Sequence, residues 1–241
     1  MIRVAAVGDI HVGEGMHGCY AGDVAALEGA ADVLLLAGDL TRHGTVAEAR
    51  VVAGEFAASP VPVVAVLGNH DLHSDDGEGV TAALMEAGIA VLECSSTVLT
   101  LDGVRLGVAG TVGFGGGFPS GMVADFGERE MKAFAARGRA LAAGLGEALR
   151  TLDCDVAVDV IVALTHYAPV PGTLEGEPRE IYPFLGSHLL ADVIDSCGAA
   201  LALHGHAHAG SPDGRTPGGV PVHNVARPVL RRPYRVFPLD E

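Results

Sequence analysis

Eight side chains able to bind a metal ion or move a proton recur in five short blocks. The blocks are Gly8-Asp9-Ile10-His11, Gly38-Asp39-Leu40, Gly68-Asn69-His70-Asp71, Thr165-His166-Tyr167 and Gly205-His206-Ala207-His208. The candidates are Asp9, His11, Asp39, Asn69, His70, His166, His206 and His208. Carboxylates, an amide oxygen and imidazoles form a mixed nitrogen and oxygen donor set without thiolate. Such a set suits manganese, iron or zinc better than copper(I) or an iron–sulfur cluster. Asp9 and His11 stand at i and i+2, as do His206 and His208. In an extended segment that spacing points both side chains to one side. Asp39 lies between the other blocks, and its two oxygens could bridge two cations.

Most blocks follow an apolar run that reads as a buried strand, so the polar groups fall at strand ends. Val4 to Val7 leads into Gly8-Asp9. Val24 to Ala31 reads as a helix, and Val33 to Ala37 as a strand ending at Gly38-Asp39. Val46 to Ala58 has helical spacing, with Val46, Ala49, Val52 and Phe56 on one side, until Pro60 and Pro62 break it. Val61 to Leu67 is the third strand. Three strand-then-helix units in succession argue for a parallel sheet covered by helices. Then the pattern changes. Thr97 to Leu101 and Val104 to Val108 flank Asp102-Gly103, a tight hairpin signal. Gly110 to Gly121 reads as a mobile rim loop, and Met122 to Leu152 contains a long alanine-rich helix. Val156 to Leu164 is a further strand, His188 to Cys197 a helix, and Ala199 to Leu203 runs into the last histidine block. Val220 to Val225 and Tyr234 to Phe237 read as closing strands. The expectation is one α/β domain over residues 1–241, with no large cap and with antiparallel strands in its second half.

A chain of 241 residues supports one sizeable core. Hydrophobic residues make up 49%, yet no window reaches the length of a membrane span. The first strand begins at once, which leaves no room for a signal peptide and reads as cytoplasmic. Cys19, Cys94, Cys154 and Cys197 share no metal or disulfide spacing and read as buried free thiols. The net charge of -15 disfavours extended nucleic acid. A small phosphate ester remains compatible, because bound cations reverse the local sign.

The ordered series D-x-H, GD, GNH[D/E], H and GHxH resembles the calcineurin-like metallophosphoesterase family. The match extends from Asp9 to His208. The resemblance implies a four-layer α/β/β/α sandwich of two mixed sheets flanked by helices. It also implies a site with two divalent metal ions (Mn, Fe or Zn). Asp9, His11 and His208 would hold the first, and Asn69, His166 and His206 the second. Asp39 would bridge them together with a water or hydroxide, the nucleophile. His70 would stand at the leaving-group oxygen as general acid, with Asp71 behind it as an orienting carboxylate. Two cations about 3.5–4 Å apart clamp ester oxygens and acidify a bridging water. The developing charge then falls where metals and His70 can meet it.

The expected activity is metal-dependent hydrolysis of phosphoric esters, a small phosphodiester for preference. A phosphomonoesterase or a nucleotide pyrophosphatase would use the same site. Protein phosphatase activity fits less well, because Leu72 and His73 follow Asp71 where such relatives carry basic residues. A catalytically silent scaffold on the same fold would be expected to lose ligands or His70, and all are present. Singly, Asp9, Asp39 or Asn69 could cap a helix; five ordered blocks argue for the site. Arg42, close to Asp39, is a candidate for a substrate phosphate. His204 reads as a satisfied interior histidine or a partner of the ligands. His17, His73, His188 and His223 read as ordinary loop, surface or structural histidines. Tyr167, next to His166, could line the pocket or simply pack, packing being the favoured reading.

Overall fold

The computed structural model describes residues 1–155 and 157–240. In chain order the strands are β1 (Ile2–Val7), β2 (Val33–Ala37), β3 (Val63–Val66), β4 (Ala90–Val91), β5 (Ser95–Leu101), β6 (Val104–Thr111), β7 (Gly117–Phe118), β8 (Gly121–Met122), β9 (Val160–Thr165), β10 (Leu201–His204), β11 (Asp213–Arg215), β12 (Pro221–Asn224) and β13 (Arg235–Leu239). The helices are α1 (Ala21–Ala25), α2 (Val46–Phe56), α3 (Gly77–Glu86), α4 (Arg129–Asp153), α5 (Tyr182–Leu185), α6 (His188–Asp195) and α7 (Arg227–Leu230).

One sheet has the order β13-β1-β2-β3-β4, the other β11-β12-β10-β9-β6-β5. The inner strands of both run parallel, and antiparallel strands occupy edges: β13 in the first sheet, β5 and β11 in the second. Alternation along β9 shows how the layers form. Val160, Val162 and Leu164 enter the core shared with β1, β2 and β3, whereas Ile161 and Ala163 face Leu145, Leu149 and Ile194 of α4 and α6. On the far side of the first sheet, Val52 and Phe56 of α2 and Leu84 of α3 complete the same core. The architecture is thus two mixed sheets face to face with helices outside each, as the family resemblance implies. Each fully buried Leu or Val in these layers contributes about 1.5–3 kcal/mol relative to exposure.

Several boundaries differ from the sequence reading. α1 ends at Ala25, and tight i→i+3 turns carry the chain to Ala30. The long helix starts at Arg129 because Gly127 has φ +104° and Met122 pairs with Gly117 in a short hairpin. The glycine-rich stretch is not a loose rim. Gly113, Gly115, Gly117 and Phe118 are buried, and Gly117 N–H donates to the Gly186 carbonyl at 2.8 Å. The strand expected from Val156 begins at Val160; Val156 itself lies outside the described residues. The cysteines are free, but only Cys197 is buried; Cys19 and Cys154 are exposed. No helix among the described residues is long and apolar enough to cross a membrane.

Candidate metal centre

The carboxyl ends of β1, β2, β3, β9 and β10 meet along one edge of the two sheets, and each block begins there. Main-chain bonds tie the first two loops together: Asp9 N–H to Gly38 O at 2.9 Å, and His11 N–H to Asp39 O at 3.0 Å. Asp9, His11, Asp39 and His206 all have positive φ, of 57°, 45°, 50° and 68°. A non-glycine residue rarely adopts this region, and doing so costs on the order of 1–3 kcal/mol. The expected extended geometry of the Asp9–His11 pair is therefore corrected. Left-handed turns, not strand alternation, bring these side chains together. Glycines make the approach possible. A Cβ on Gly205 would lie 2.3 Å from Asp9 Oδ2, and one on Gly68 would lie 2.2 Å from Asp39 Oδ1.

Two groups of donors result. Ligand atoms of Asp9, His11, Asp39 and His208 lie within 4.8 Å of one another, as do those of Asp39, His166 and His206; Asp39 belongs to both. In the first group, His208 Nε2 is 2.8 Å from Asp9 Oδ1, and both Asp9 oxygens accept from His206 N–H at 3.0 Å. Burial opposes charge on Asp9, but His208, His166 and the His206 amide outweigh it and hold the carboxyl below its ordinary range. The same contact with Asp9 raises His208. Burial lowers His11, and its Nε2 is buried with no hydrogen-bond partner among the described residues. It faces Asp39 Oδ2 at 3.8 Å.

In the second group, His166 Nδ1 donates to Ala37 O at 2.9 Å, which leaves Nε2 as the lone-pair nitrogen. That nitrogen faces Asn69 Oδ1 at 2.9 Å and Asp39 Oδ1 at 3.3 Å. Three acceptors pointed at one another repel unless a proton or a cation stands among them. His206 donates from Nε2 to Phe184 O at 3.3 Å, and burial together with His166 pushes its pKa down to about 3. It is neutral at ordinary pH, the form that ligates metal. The orphaned His11 nitrogen and the opposed acceptors around His166 fit a divalent cation in each group. All seven residues expected to hold metal are brought together.

His70 stands beside these groups. Its ring meets His11 edge-on, 4.5 Å between centroids, and its Nε2 is 4.0 Å from Asp39 Oδ2. Nδ1 donates to Arg42 O at 2.7 Å, so Nε2 is the nitrogen turned toward the site. Here two expectations change. Asp71 does not orient His70. It is fully buried and accepts from Leu40 N–H (3.1 Å), Gly68 N–H (2.8 Å), Thr41 N–H (2.7 Å) and Thr41 Oγ1 (2.6 Å). It clamps the Asp39 loop to the Asn69 loop, and the Arg42 carbonyl does the orienting. The Arg42 guanidinium lies against Gly13 and Met16, so the residue is tied to the site through its main chain.

Tyr167 takes the pocket-lining alternative rather than the favoured packing one. Its ring sits 4.3 Å from His206, centroid to centroid, and walls a cavity of about 160 Å³ with Asn69, Leu72, Val112, Phe114 and Arg137. Burial, reinforced by the charge on Asp39, pushes its hydroxyl up to about 12, so it stays protonated. Phe114 and Arg137 escaped the sequence reading. A lone aromatic in a glycine run was the only signal, and nothing marked an arginine within α4. His204 is a satisfied interior histidine, bonded to Thr173 Oγ1 and Gly205 O, each at 2.8 Å. His17 and His73 are exposed. His188 bonds Gly117 O at 3.1 Å, and His223 pairs with Asp213 at 2.6 Å, away from the site.

A mixed α/β sandwich with a carboxylate shared between two histidine-rich donor groups defines a metal-binding phosphoesterase class. The family model of calcineurin-like phosphoesterases matches residues 2–210, and the chain belongs to that family. The fold is similar to phosphopantetheinyl hydrolase from Mycobacterium tuberculosis, with TM-score 0.70 and 18% identity over 98% of this chain and 96% of that one. It is also similar to the protein TT1561 of Thermus thermophilus, with TM-score 0.61 and 18% identity over 98% of each chain. A putative 5'-nucleotidase from Staphylococcus aureus shares the fold at TM-score 0.59 and 13% identity, over 92% of this chain and 48% of that one. No curated protein matches the sequence.

Proposed function

We propose that this chain, acting as one domain without a large cap, hydrolyses small phosphodiesters at a centre of two divalent metal ions. The observation that carries the reading is the sharing of Asp39 between two donor groups, one with an orphaned buried imidazole nitrogen. Asp9, His11, Asp39 and His208 hold one ion; Asp39, Asn69, His166 and His206 hold the other. When bound, such ions stabilise charge on phosphoryl oxygens and acidify a water. The remaining work belongs to the chain. His70 Nε2 delivers a proton to the leaving oxygen, its tautomer set by the Arg42 carbonyl. The Asp71 clamp keeps the Asp39 and Asn69 loops in register. Asp39 is oriented by its own bond from His70 N–H at 2.8 Å. Side chains of His70 and His208 are 43% and 44% exposed, so a small ester reaches the groups from solvent.

Two observations support a small ester. The chain's net charge of -15 disfavours extended polyanions, and a fold relative is named as a phosphopantetheinyl hydrolase. The 5'-nucleotidase relative favours the second reading, a monoesterase on the same groups. The test loads the protein with manganese, zinc or iron. It compares kcat/KM for bis(p-nitrophenyl) phosphate and p-nitrophenyl phosphate, with metal content from elemental analysis. His70→Asn is expected to lower kcat by about 10²–10⁴ while both ions stay bound. A monoester preference overturns the substrate assignment. Full metal occupancy without turnover overturns the hydrolase reading, and loss of metal in His70→Asn overturns the role of His70.

A further inference from the structure

Of the chain's seven Phe and four Tyr, four form one aromatic wall beside the metal centre. Tyr167 and Phe114 are 5.8 Å apart, Phe114 and Phe134 4.8 Å, and Phe134 and Phe184 6.2 Å, centroid to centroid. The cavity of about 160 Å³ opens in this wall, and Asn69 and Tyr167 are common to the cavity and the metal centre. Its volume is well below the roughly 300–1,000 Å³ of whole-ligand pockets. That is room for one ring-sized group.

Arg137 is the cation of this cavity. Its guanidinium sits 5.1 Å from the Phe114 centroid, a cation–π contact that holds it in place. Arg139, two positions further along α4, pairs with Asp125 at 2.9 Å. Among the described residues Arg137 has no carboxylate partner, unlike Arg3, Arg105, Arg150 and Arg235. Arg137 is exposed at the cavity mouth, and a guanidinium that rests on an aromatic face without a carboxylate partner is suited to a planar anion such as a carboxylate or phosphate. His70 stands on the His11 side of the centre, whereas the cavity adjoins Asn69 and His206. His70 does not line the cavity, so a group seated there is not the one that His70 would protonate.

We propose that this cavity binds the retained group of the substrate, and that Arg137 selects a planar group bearing a negative charge. The proposal rests on the hydrolase reading and deepens it by naming the substrate class: a phosphodiester with an anionic, planar retained group. In the reaction, water adds to phosphorus, the P–O bond to the leaving group breaks, and the retained ester stays in the cavity.

The test uses two diesters with the same leaving group, p-nitrophenyl phenyl phosphate and p-nitrophenyl p-carboxyphenyl phosphate. The metal-loaded protein is expected to favour the carboxylated diester in kcat/KM by about tenfold, the worth of one charge-assisted hydrogen-bonded pair. In Arg137→Gln that ratio falls to near one, through KM, and in Arg137→Lys it recovers in part. Calorimetry with phenylphosphonate and p-carboxyphenylphosphonate reads the same ratio without turnover. An unchanged ratio in Arg137→Gln, or no preference in the wild type, overturns the proposal. If neither diester turns over, the hydrolase reading fails, and the phosphonate ratio alone decides the subsite.

Discussion

Replacing Asp71 by Asn tests the claim that this carboxylate is a clamp between two loops. Its Oδ2 holds Leu40 N–H and Gly68 N–H, and its Oδ1 holds Thr41 N–H and Thr41 Oγ1. An amide keeps one oxygen. In the best arrangement that oxygen retains Leu40 and Gly68, and the Thr41 hydroxyl turns to accept from the new NH2. Thr41 N–H is then stranded in a fully buried place, at a cost of about 1–3 kcal/mol. The bonds that survive lose their charge, roughly 1 kcal/mol each. Relief from burying an ion offsets part of this, leaving a net loss of about 2–5 kcal/mol. With a urea m-value near 3 kcal/mol per M, the unfolding midpoint should fall by roughly 1 M. The assay is urea denaturation of metal-free protein followed by circular dichroism. The loss of kcat in His70→Asn should be the same with and without Asp71→Asn, because Asp71 does not touch that ring. A midpoint within about 0.2 M of wild type would refute the clamp. A His70→Asn effect that shrinks in the Asp71→Asn background, at unchanged stability, would restore Asp71 as the partner of His70.

Two further outcomes follow from local geometry. In Gly205→Ala the new methyl would stand 2.3 Å from Asp9 Oδ2 and 2.8 Å from the Ala37 carbonyl; Asp9 must move, and calorimetry should show metal affinity lowered by tenfold or more. Unchanged affinity would mean that the loop has slack the packing denies. Burial pushes His204 down to about 4, so the folded chain keeps it neutral while the unfolded chain takes up a proton near pH 6.5. Stability of the metal-free protein is therefore full above about pH 6.5 and falls as the pH drops toward 4, by roughly 3 kcal/mol from this residue. His206 acts in the same direction, so the difference between wild type and His204→Gln isolates His204; equal slopes of stability against pH would exclude it.

The strands that end in ligands were legible because their apolar runs are short, continuous and closed by Gly-Asp, Gly-Asn or a histidine. Boundaries were not, where a turn residue decided them. Gly127, with φ +104°, sets the start of the long helix, and a helical-looking run from Met122 gives no sign of it. The glycine-rich segment misled for a related reason. Glycine marks both loose chain and tight backbone contact, and here it is the second, packed on the segment around Gly186. Asp71 was assigned by adjacency to His70. Its carboxylate reaches back to residues 30 and 31 positions earlier, a contact that neighbouring letters cannot encode.

By itself the sequence determined the donor types, their order and the strands that carry them, because hydrophobic periodicity and ligand chemistry are local properties. Tertiary structure decided everything that depends on which loops meet. Positive φ at Asp9, His11, Asp39 and His206 turned the ligands inward. The Arg42 carbonyl, rather than a carboxylate, took His70 Nδ1. Phe114, from a glycine run, and Arg137, from α4, came together at a cavity beside Asn69. Such meetings arise from packing two sheets face to face, which joins chain segments with no local signal for one another.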